Sequence, residues 1–156
     1  MKKDIKLEAF YPFPRERVWR AITNPEALGR WLMPNDFEPK LGHKFNFRTK
    51  PAPGFDGIVH CEVLEIVEPQ KLSISWKGGP VDTVVGFSLE PAPNGTKLLF
   101  EQKGFDGLKA IAVSFMLAGG WKKMFRESLP KVIENIDSLN ELDGALNTCS
   151  PVDNLS

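Results

Sequence analysis

The feature that most constrains the fold is a change of hydrophobic period near residue 43. From there to about residue 103, apolar and polar residues alternate in five consecutive segments, which short connections such as EPQ, KGGP and PAPNG separate. Strict alternation is typical of half-buried strands, and connections rich in Pro, Gly and Asn favour hairpins. The pattern therefore predicts five successive antiparallel strands, each with one apolar face.

An apolar sheet face must be covered, and the segment from about 108 to 140 is the long helical pattern available for this. Before the sheet, DIKLEAF (4–10) alternates like a strand, and FPRERVWRAI and TNPEALGRWLMP resemble short helices, the second with Asn24 as N-cap. We predict an α+β fold: a curved antiparallel sheet of about six strands wraps around a long C-terminal helix, with two short helices after the first strand. Residues 1–140 form one domain in this prediction, and we expect 141–156 to be a flexible tail.

Two consecutive glycines, Gly119 and Gly120, interrupt the helical pattern. A glycine inside a helix costs about 0.5–1 kcal/mol relative to alanine, so the pair needs either a helix boundary or a packing reason. The apolar spacing continues across them to Trp121 and Phe125, and no new N-cap follows. We predict that the helix continues, and that the missing side chain at Gly120 allows close approach to the sheet, a gentle bend, or an open floor to a cavity beside Trp121.

Composition excludes several classes of function. The 20 basic and 20 acidic residues cancel, and neither sign forms a block, so nucleic acid and acidic membranes are not expected partners. Cys61 and Cys149 are far apart and form neither a disulfide framework nor a metal-binding pair, which suits a reducing cytoplasm. The longest apolar run, 110–121, falls well short of the roughly 20 residues of a membrane span. We expect a cytoplasmic protein without metal or cofactor.

Few residues suggest catalysis. His43 and His60 are the only histidines, and His60 and Cys61 point to opposite faces of a strand. His60 with Glu62 is a candidate acid–base pair, but a solvated strand face explains both equally well. Asp36 and Glu38 lie two residues apart in a loop without a third ligand, and no G-x-S-x-G nucleophile motif is present.

The order of motifs resembles a known superfamily. YPFPRERVWRAITNPEALGRWLMP, GIVHCEVLEIVEPQKLSISW, PNGTKLLFEQKGF and GGWKKMFRESL together are similar to the START-like (SRPBCC) helix-grip superfamily, in particular to its branch resembling the C-terminal domain of the activator of the heat-shock-protein-90 ATPase. The resemblance covers about residues 5–138. It implies a cavity between sheet and C-terminal helix that binds lipids, hormones or polyketides, and in a minority of members cyclisation or dehydration of the ligand.

The resemblance gives the aromatic residues a second interpretation besides an ordinary core. Ligand sites for small apolar molecules are aromatic-lined with few polar groups. Polar groups that would orient a ligand are His60, Thr83 and Gln102. The predicted cavity residues are Trp31, Phe45, Phe47, His60, Trp76, Phe87, Phe115, Gly120 and Trp121.

Three functions remain open at this point. The first is a small binding protein for an apolar or amphipathic small molecule. The second is a protein-interaction module for a heat-shock protein 90-type chaperone; the co-chaperone has an additional N-terminal domain for which this chain has no room, so we expect weak stimulation at most. The third is an enzyme of the polyketide-cyclase type, for which His60, Glu62 and Glu65 are the available acids and bases.

Overall fold

The computed structural model describes residues 2–136, so the predicted tail, 141–156, lies outside the described residues. The strands are β1 (Lys2–Tyr11), β2 (Lys44–Arg48), β3 (Ile58–Val67), β4 (Lys71–Gly78), β5 (Val81–Ala92) and β6 (Gly95–Asp106). The helices are α1 (Arg15–Thr23), α2 (Pro25–Trp31), α3 (Leu108–Lys123) and α4 (Leu129–Glu134), with a π-helical segment (Met124–Ser128) between the last two. This arrangement confirms the predicted fold class.

The six strands form one antiparallel sheet in the order β1-β6-β5-β4-β3-β2. The chain passes through β2 to β6 by successive neighbours, as short connections require, and β1 then pairs with β6. At the β5–β6 turn, Asn94 has φ of 67°, a left-handed conformation that asparagine tolerates better than most residues. The predicted Asn24 cap also forms, since its Oδ1 accepts from the Ala27 amide at 3.1 Å.

The long helix is unbroken at Gly119 and Gly120, which confirms its predicted continuity. Its irregularity lies further on, at Pro130, which has no N–H and whose ring clashes with the carbonyl four residues earlier. Here the backbone widens, and the Leu129 amide reaches back five residues to Met124. The Phe125 carbonyl instead accepts from the buried Tyr11 hydroxyl at 2.7 Å. A buried hydrogen bond thereby joins the end of β1 to the π-helical segment.

Two halves of the long helix cover different parts of the molecule. α3 lies against β1 and β6, at one edge of the sheet, whereas α4 packs on α1 and α2. Trp121 and Phe125, where the two halves meet, are both buried in the centre of the core. The inner side of the sheet, the two short helices and this central turn of the long helix therefore enclose one continuous apolar interior.

Candidate functional site

The centre of the interior is an aromatic cluster around Trp121. Its indole lies 4.5 Å from Phe100, 5.3 Å from Trp76, 5.6 Å from Phe125 and 6.4 Å from Trp31, measured between ring centroids. A second row of rings continues from Trp76 towards the edge of the sheet. It consists of Phe47, Phe45 and Phe37, with successive centroid distances of 5.4, 5.4 and 5.1 Å.

A chain of hydrogen bonds crosses this apolar cluster. The Trp121 indole N–H donates to Gln102 Oε1 at 2.9 Å, Gln102 Nε2 donates to Thr83 Oγ1 at 2.9 Å, and Thr83 Oγ1 donates to the Trp76 carbonyl at 3.0 Å. The register explains the proximity: Trp76 pairs with Thr83 across β4 and β5, and Gln102 pairs with Val85 across β5 and β6. The sheet thus supplies three of the four groups and the long helix the fourth.

The Gln102 side chain is fully buried, with 0% of its surface exposed. A primary amide has two N–H donors and two acceptor lone pairs on its oxygen. The bond to Thr83 uses one N–H donor of Gln102, and the bond from Trp121 uses one lone pair of its oxygen. Chemically, the cluster is therefore an apolar environment with one amide that has further capacity to donate and to accept.

The space beside these rings is small. A narrow gap of about 10 Å³ lies between α2 and the sheet, next to Phe37, Phe47, Trp76 and Phe87. Such a volume holds one water molecule at most. The expected cavity lay between the sheet and the C-terminal helix, whereas this gap lies under the second short helix and the segment 32–43 that follows it.

A wider depression, of about 540 Å³, lies on the opposite, outer face of the sheet. Its lining includes Gly86 and Ser73, which have little or no side chain. Salt bridges such as Lys6–Glu101 and Lys97–Glu8 lie at its border. These ion pairs join exposed side chains and contribute little stability. Of the residues in the aromatic cluster, Phe100 alone lines this depression.

Six of the nine residues predicted for the cavity are buried in the cluster or its extension. They are Trp31, Phe45, Phe47, Trp76, Phe87 and Trp121. Thr83 and Gln102 are buried as well. Phe37, Phe100 and Phe125 also belong to the cluster but were not predicted as site residues, although the alternation of β6 and the helical spacing after Trp121 both indicate that Phe100 and Phe125 face inward.

The other three predicted cavity residues are corrected by the structure. His60 is exposed on the outer face opposite Lys77, because its neighbour Cys61 faces inward and strand side chains alternate. Phe115 is exposed because the small residues Ala110 and Ser114 occupy the buried side of α3. Gly120 is also exposed, and a Cβ added there would meet no atom within 4 Å.

The described interior offers little acid–base chemistry. Its buried polar side chains are hydroxyls and the Gln102 amide, with Tyr11 and Cys61 as the buried titratable groups. Burial, and to a smaller extent the nearby Asp36 carboxylate, raises the pKa of Cys61 to about 12, and burial raises the pKa of Tyr11 well above its usual range. Both therefore stay protonated near neutral pH, which makes the Cys61 thiol a poor nucleophile.

Within residues 2–136, no three His, Cys, Asp or Glu side chains are grouped closely enough to hold a metal ion. In the same range, none of the helices combines the length and the apolar character that crossing a membrane requires.

Solved structures with this architecture are numerous. Protein MLL2253 from Mesorhizobium loti is 32% identical, with a TM-score of 0.77, and the match covers 85% of this chain and 98% of that one. Protein BH1534 from Bacillus halodurans is 27% identical, with a TM-score of 0.71 and coverage of 85% and 99%. CalU16 from Micromonospora echinospora is 25% identical, with a TM-score of 0.65 and coverage of 85% and 74%.

Curated protein sequences gave no match. The family model described as "Activator of Hsp90 ATPase homolog 1-like protein" matches residues 12–134, from the end of β1 to the last residue of α4. This range contains the aromatic cluster and the complete hydrogen-bond chain through Gln102. The chain therefore belongs to the family of activator of Hsp90 ATPase homolog 1-like proteins.

Proposed function

We propose that the protein binds an apolar or amphipathic small molecule in its aromatic interior. The observation that carries this proposal is the fully buried Gln102 amide, which lies among aromatic rings and has donor and acceptor capacity beyond its bonds to Thr83 and Trp121. A buried polar group that is only partly used is costly in an apolar core. The polar end of an amphipathic ligand would use that capacity, while its apolar part contacts the rings.

Binding requires the interior to open, because the present gap of about 10 Å³ is far smaller than the roughly 300–1,000 Å³ of typical ligand sites. The weakest wall is the segment 32–43, which has no regular helix. Its start is joined to the sheet by a bridge from Asn35 to Phe47, and its end by the backbone bonds of Gly42 and His43 to Val63. Several of its side-chain bonds are at the surface, among them the bond from the Asn46 amide to Asp36 Oδ1 at 2.8 Å. We infer that this segment moves outward to admit the ligand.

Native mass spectrometry of the isolated protein is the first test, since a retained small molecule would reveal its chemical class directly. The second test is a titration with the fluorescent probe N-phenylnaphthylamine. We expect saturable binding near one equivalent, with quenching of tryptophan emission by the bound probe. Binding of the probe only under conditions that loosen the fold would contradict the proposal.

The role of Gln102 is tested by displacing the probe with a long-chain alcohol and with the alkane of the same length. In the Gln102→Leu variant, the alcohol should compete about tenfold less well, which corresponds to one lost hydrogen bond, while competition by the alkane is unchanged. Leu64→Ser is the control because Leu64 is exposed on β3 and lies outside segment 32–43. An equal change for alcohol and alkane would mean that the amide does not orient the ligand.

A second candidate is interaction with a heat-shock protein 90-type chaperone, which the family description favours. Its test is the ATPase rate of the chaperone with and without this protein. We expect little stimulation. Strong stimulation that persists in Gln102→Leu would favour the chaperone role over ligand binding.

A further inference from the structure

The outer side of α3 is unusually apolar for a solvent-facing helix. Leu108, Phe115 and Met116 are 78%, 65% and 70% exposed, while Ala110 and Ser114 on the opposite side face the sheet. With about 100° of rotation per residue, the exposed residues lie along one stripe together with Ala112 and Gly119. Contiguous exposed apolar surface of this kind marks interaction sites.

Lysines surround this stripe. Lys109, Lys122 and Lys123 are exposed on α3 itself, which contains no acidic residue from Leu108 to Lys123. From the adjacent strand β1, the Lys3 ammonium lies 3.2 Å from the centre of the Phe115 ring.

The nearby acidic residues are fewer. Asp106 pairs in register with Lys2, and Asp4 accepts a bond from the Gly104 amide at 3.1 Å. We define the basic–apolar face as Leu108, Phe115, Met116 and the lysines Lys3, Lys109, Lys122 and Lys123.

We propose that the basic–apolar face docks the protein onto an anionic lipid surface. Helices that lie in a membrane interface have large apolar residues on one side and lysines beside them, so that the apolar side chains enter the acyl boundary while the ammonium groups meet the lipid phosphates. Gly119 and Gly120 suit this role, because the absence of side chains lets the surface come close to the helix.

Charge decides between this partner and a second copy of the chain. Pairing two basic–apolar faces would bring two sets of lysines together, and like charges in an interface are costly. An anionic surface instead complements every lysine in the face. The overall neutrality of the chain, with 20 basic and 20 acidic residues, conceals this local excess. The proposal does not require the interior to hold a ligand.

The test is co-sedimentation with vesicles of phosphatidylcholine alone and of phosphatidylcholine mixed in equal parts with phosphatidylglycerol. We expect binding to the mixed vesicles only, and weaker binding as salt is added, because exposed charges are screened. Since each lysine near an anionic surface contributes about fivefold in affinity, the double variant Lys122→Glu and Lys123→Glu should bind at least tenfold more weakly. Phe115→Ser with Met116→Ser should also lose most of the binding.

Matched controls come from the opposite edge of the sheet, where Lys40, Leu41 and Lys44 are exposed. Lys40→Glu with Lys44→Glu, and separately Leu41→Ser, should leave vesicle binding unchanged, and circular dichroism should show that all variants are folded. Three outcomes would overturn the proposal: no binding to the mixed vesicles, equal binding to both vesicle types, or equal losses in the control variants. A dimer in solution that Phe115→Ser with Met116→Ser dissociates would assign the face to a second copy instead.

Discussion

At the scale of single residues, the Gln102 amide is the unusual element of the core. Replacing it with leucine leaves the buried Trp121 indole N–H without its acceptor and the Thr83 oxygen without its donor, which should cost about 1–3 kcal/mol of unfolding free energy. Thr83→Val should cost a similar amount alone. The double variant should cost less than the sum, because both partners of one bond are then removed. Urea denaturation of the four proteins measures this, and strict additivity would show that the two groups do not interact.

The burial of Cys61 leads to a separate prediction, that the free energy of unfolding falls at alkaline pH. Its pKa is about 12 in the folded protein and 9.0 ordinarily, so above pH 9.0 the unfolded chain binds fewer protons than the folded one. The contribution of the Cys61 thiol to the free energy of unfolding is therefore complete below pH 9.0. It declines as the pH rises, by up to about 1.4 kcal/mol per pH unit.

Cys61→Val should remove this decline in stability between pH 9.0 and pH 10.0. The window ends at pH 10.0 because that is the ordinary pKa of tyrosine, above which Tyr11 also lowers the stability. Urea denaturation at several pH values in this window compares the two proteins. The same slope in both would mean that the thiol is not responsible.

At the scale of elements, the π-helical segment depends on a contact that is distant in sequence. The Leu129 amide bonds to Met124 and Pro130 has no N–H, so the Tyr11 hydroxyl is the donor that serves the Phe125 carbonyl. Tyr11→Phe removes one oxygen atom and should reduce the unfolding free energy by about 1–3 kcal/mol. Phe10→Leu, a substitution at an exposed neighbour, is the control. An unchanged stability in Tyr11→Phe would show that water replaces the hydroxyl.

The glycines of the long helix lead to a prediction opposite to the one expected from the sequence. Gly120 was expected to face the sheet, so that a larger residue would overpack the interior. It is exposed instead, with open space around its Cα. Gly120→Ala should therefore stabilise the protein by about 0.5–1 kcal/mol through helix propensity.

Gly57→Ala is the contrasting control for this experiment. Gly57 has φ of +83°, and a Cβ there would lie 2.6 Å from the Thr49 carbonyl oxygen, so alanine should destabilise. Thermal or urea unfolding compares the two variants. A loss of stability in Gly120→Ala would show that the exposed face of α3 is covered in solution.

The strands and short helices could be predicted because their periods are unambiguous and their boundaries carry Pro, Gly and Asn. The orientation of α3 could not, because its apolar residues are distributed all round the helix. Small Ala110 and Ser114 face the sheet, where they allow close approach, while larger Phe115 and Met116 face solvent. A prediction from hydrophobicity alone would have placed the opposite side of α3 against the sheet.

At the scale of the whole molecule, strand alternation indicated which residues of β4, β5 and β6 are inside, but not how tightly they pack. The alternation in β4, β5 and β6 predicts that Trp76, Phe87 and Gln102 face inward, and they do. Whether aromatic rings leave a cavity depends on distances of a few ångströms between distant elements, which periodicity does not contain. The position of Lys3 beside the lysines of α3 likewise follows from the pairing of β1 with β6, which brings the first strand next to α3.

The last prediction concerns how the packed interior opens. Phe37 lies in segment 32–43, and its ring centroid is 5.1 Å from that of Phe45. Its side chain borders the narrow gap between α2 and the sheet. If this segment is the entrance, Phe37→Ala should speed the uptake of N-phenylnaphthylamine, because it removes the ring that holds the segment against the sheet.

The truncation should also cost about 3–5 kcal/mol of stability, so a matched loss elsewhere is needed as control. Phe105→Ala supplies it, because Phe105 is equally buried but lies on β6 and does not border the gap. Stopped-flow fluorescence should show faster uptake in Phe37→Ala only. Equal acceleration in both variants would mean that the ligand enters through general loosening of the core. Unchanged uptake rates in both variants would place the entrance elsewhere, because the opening of segment 32–43 must respond to the loss of the ring that anchors it.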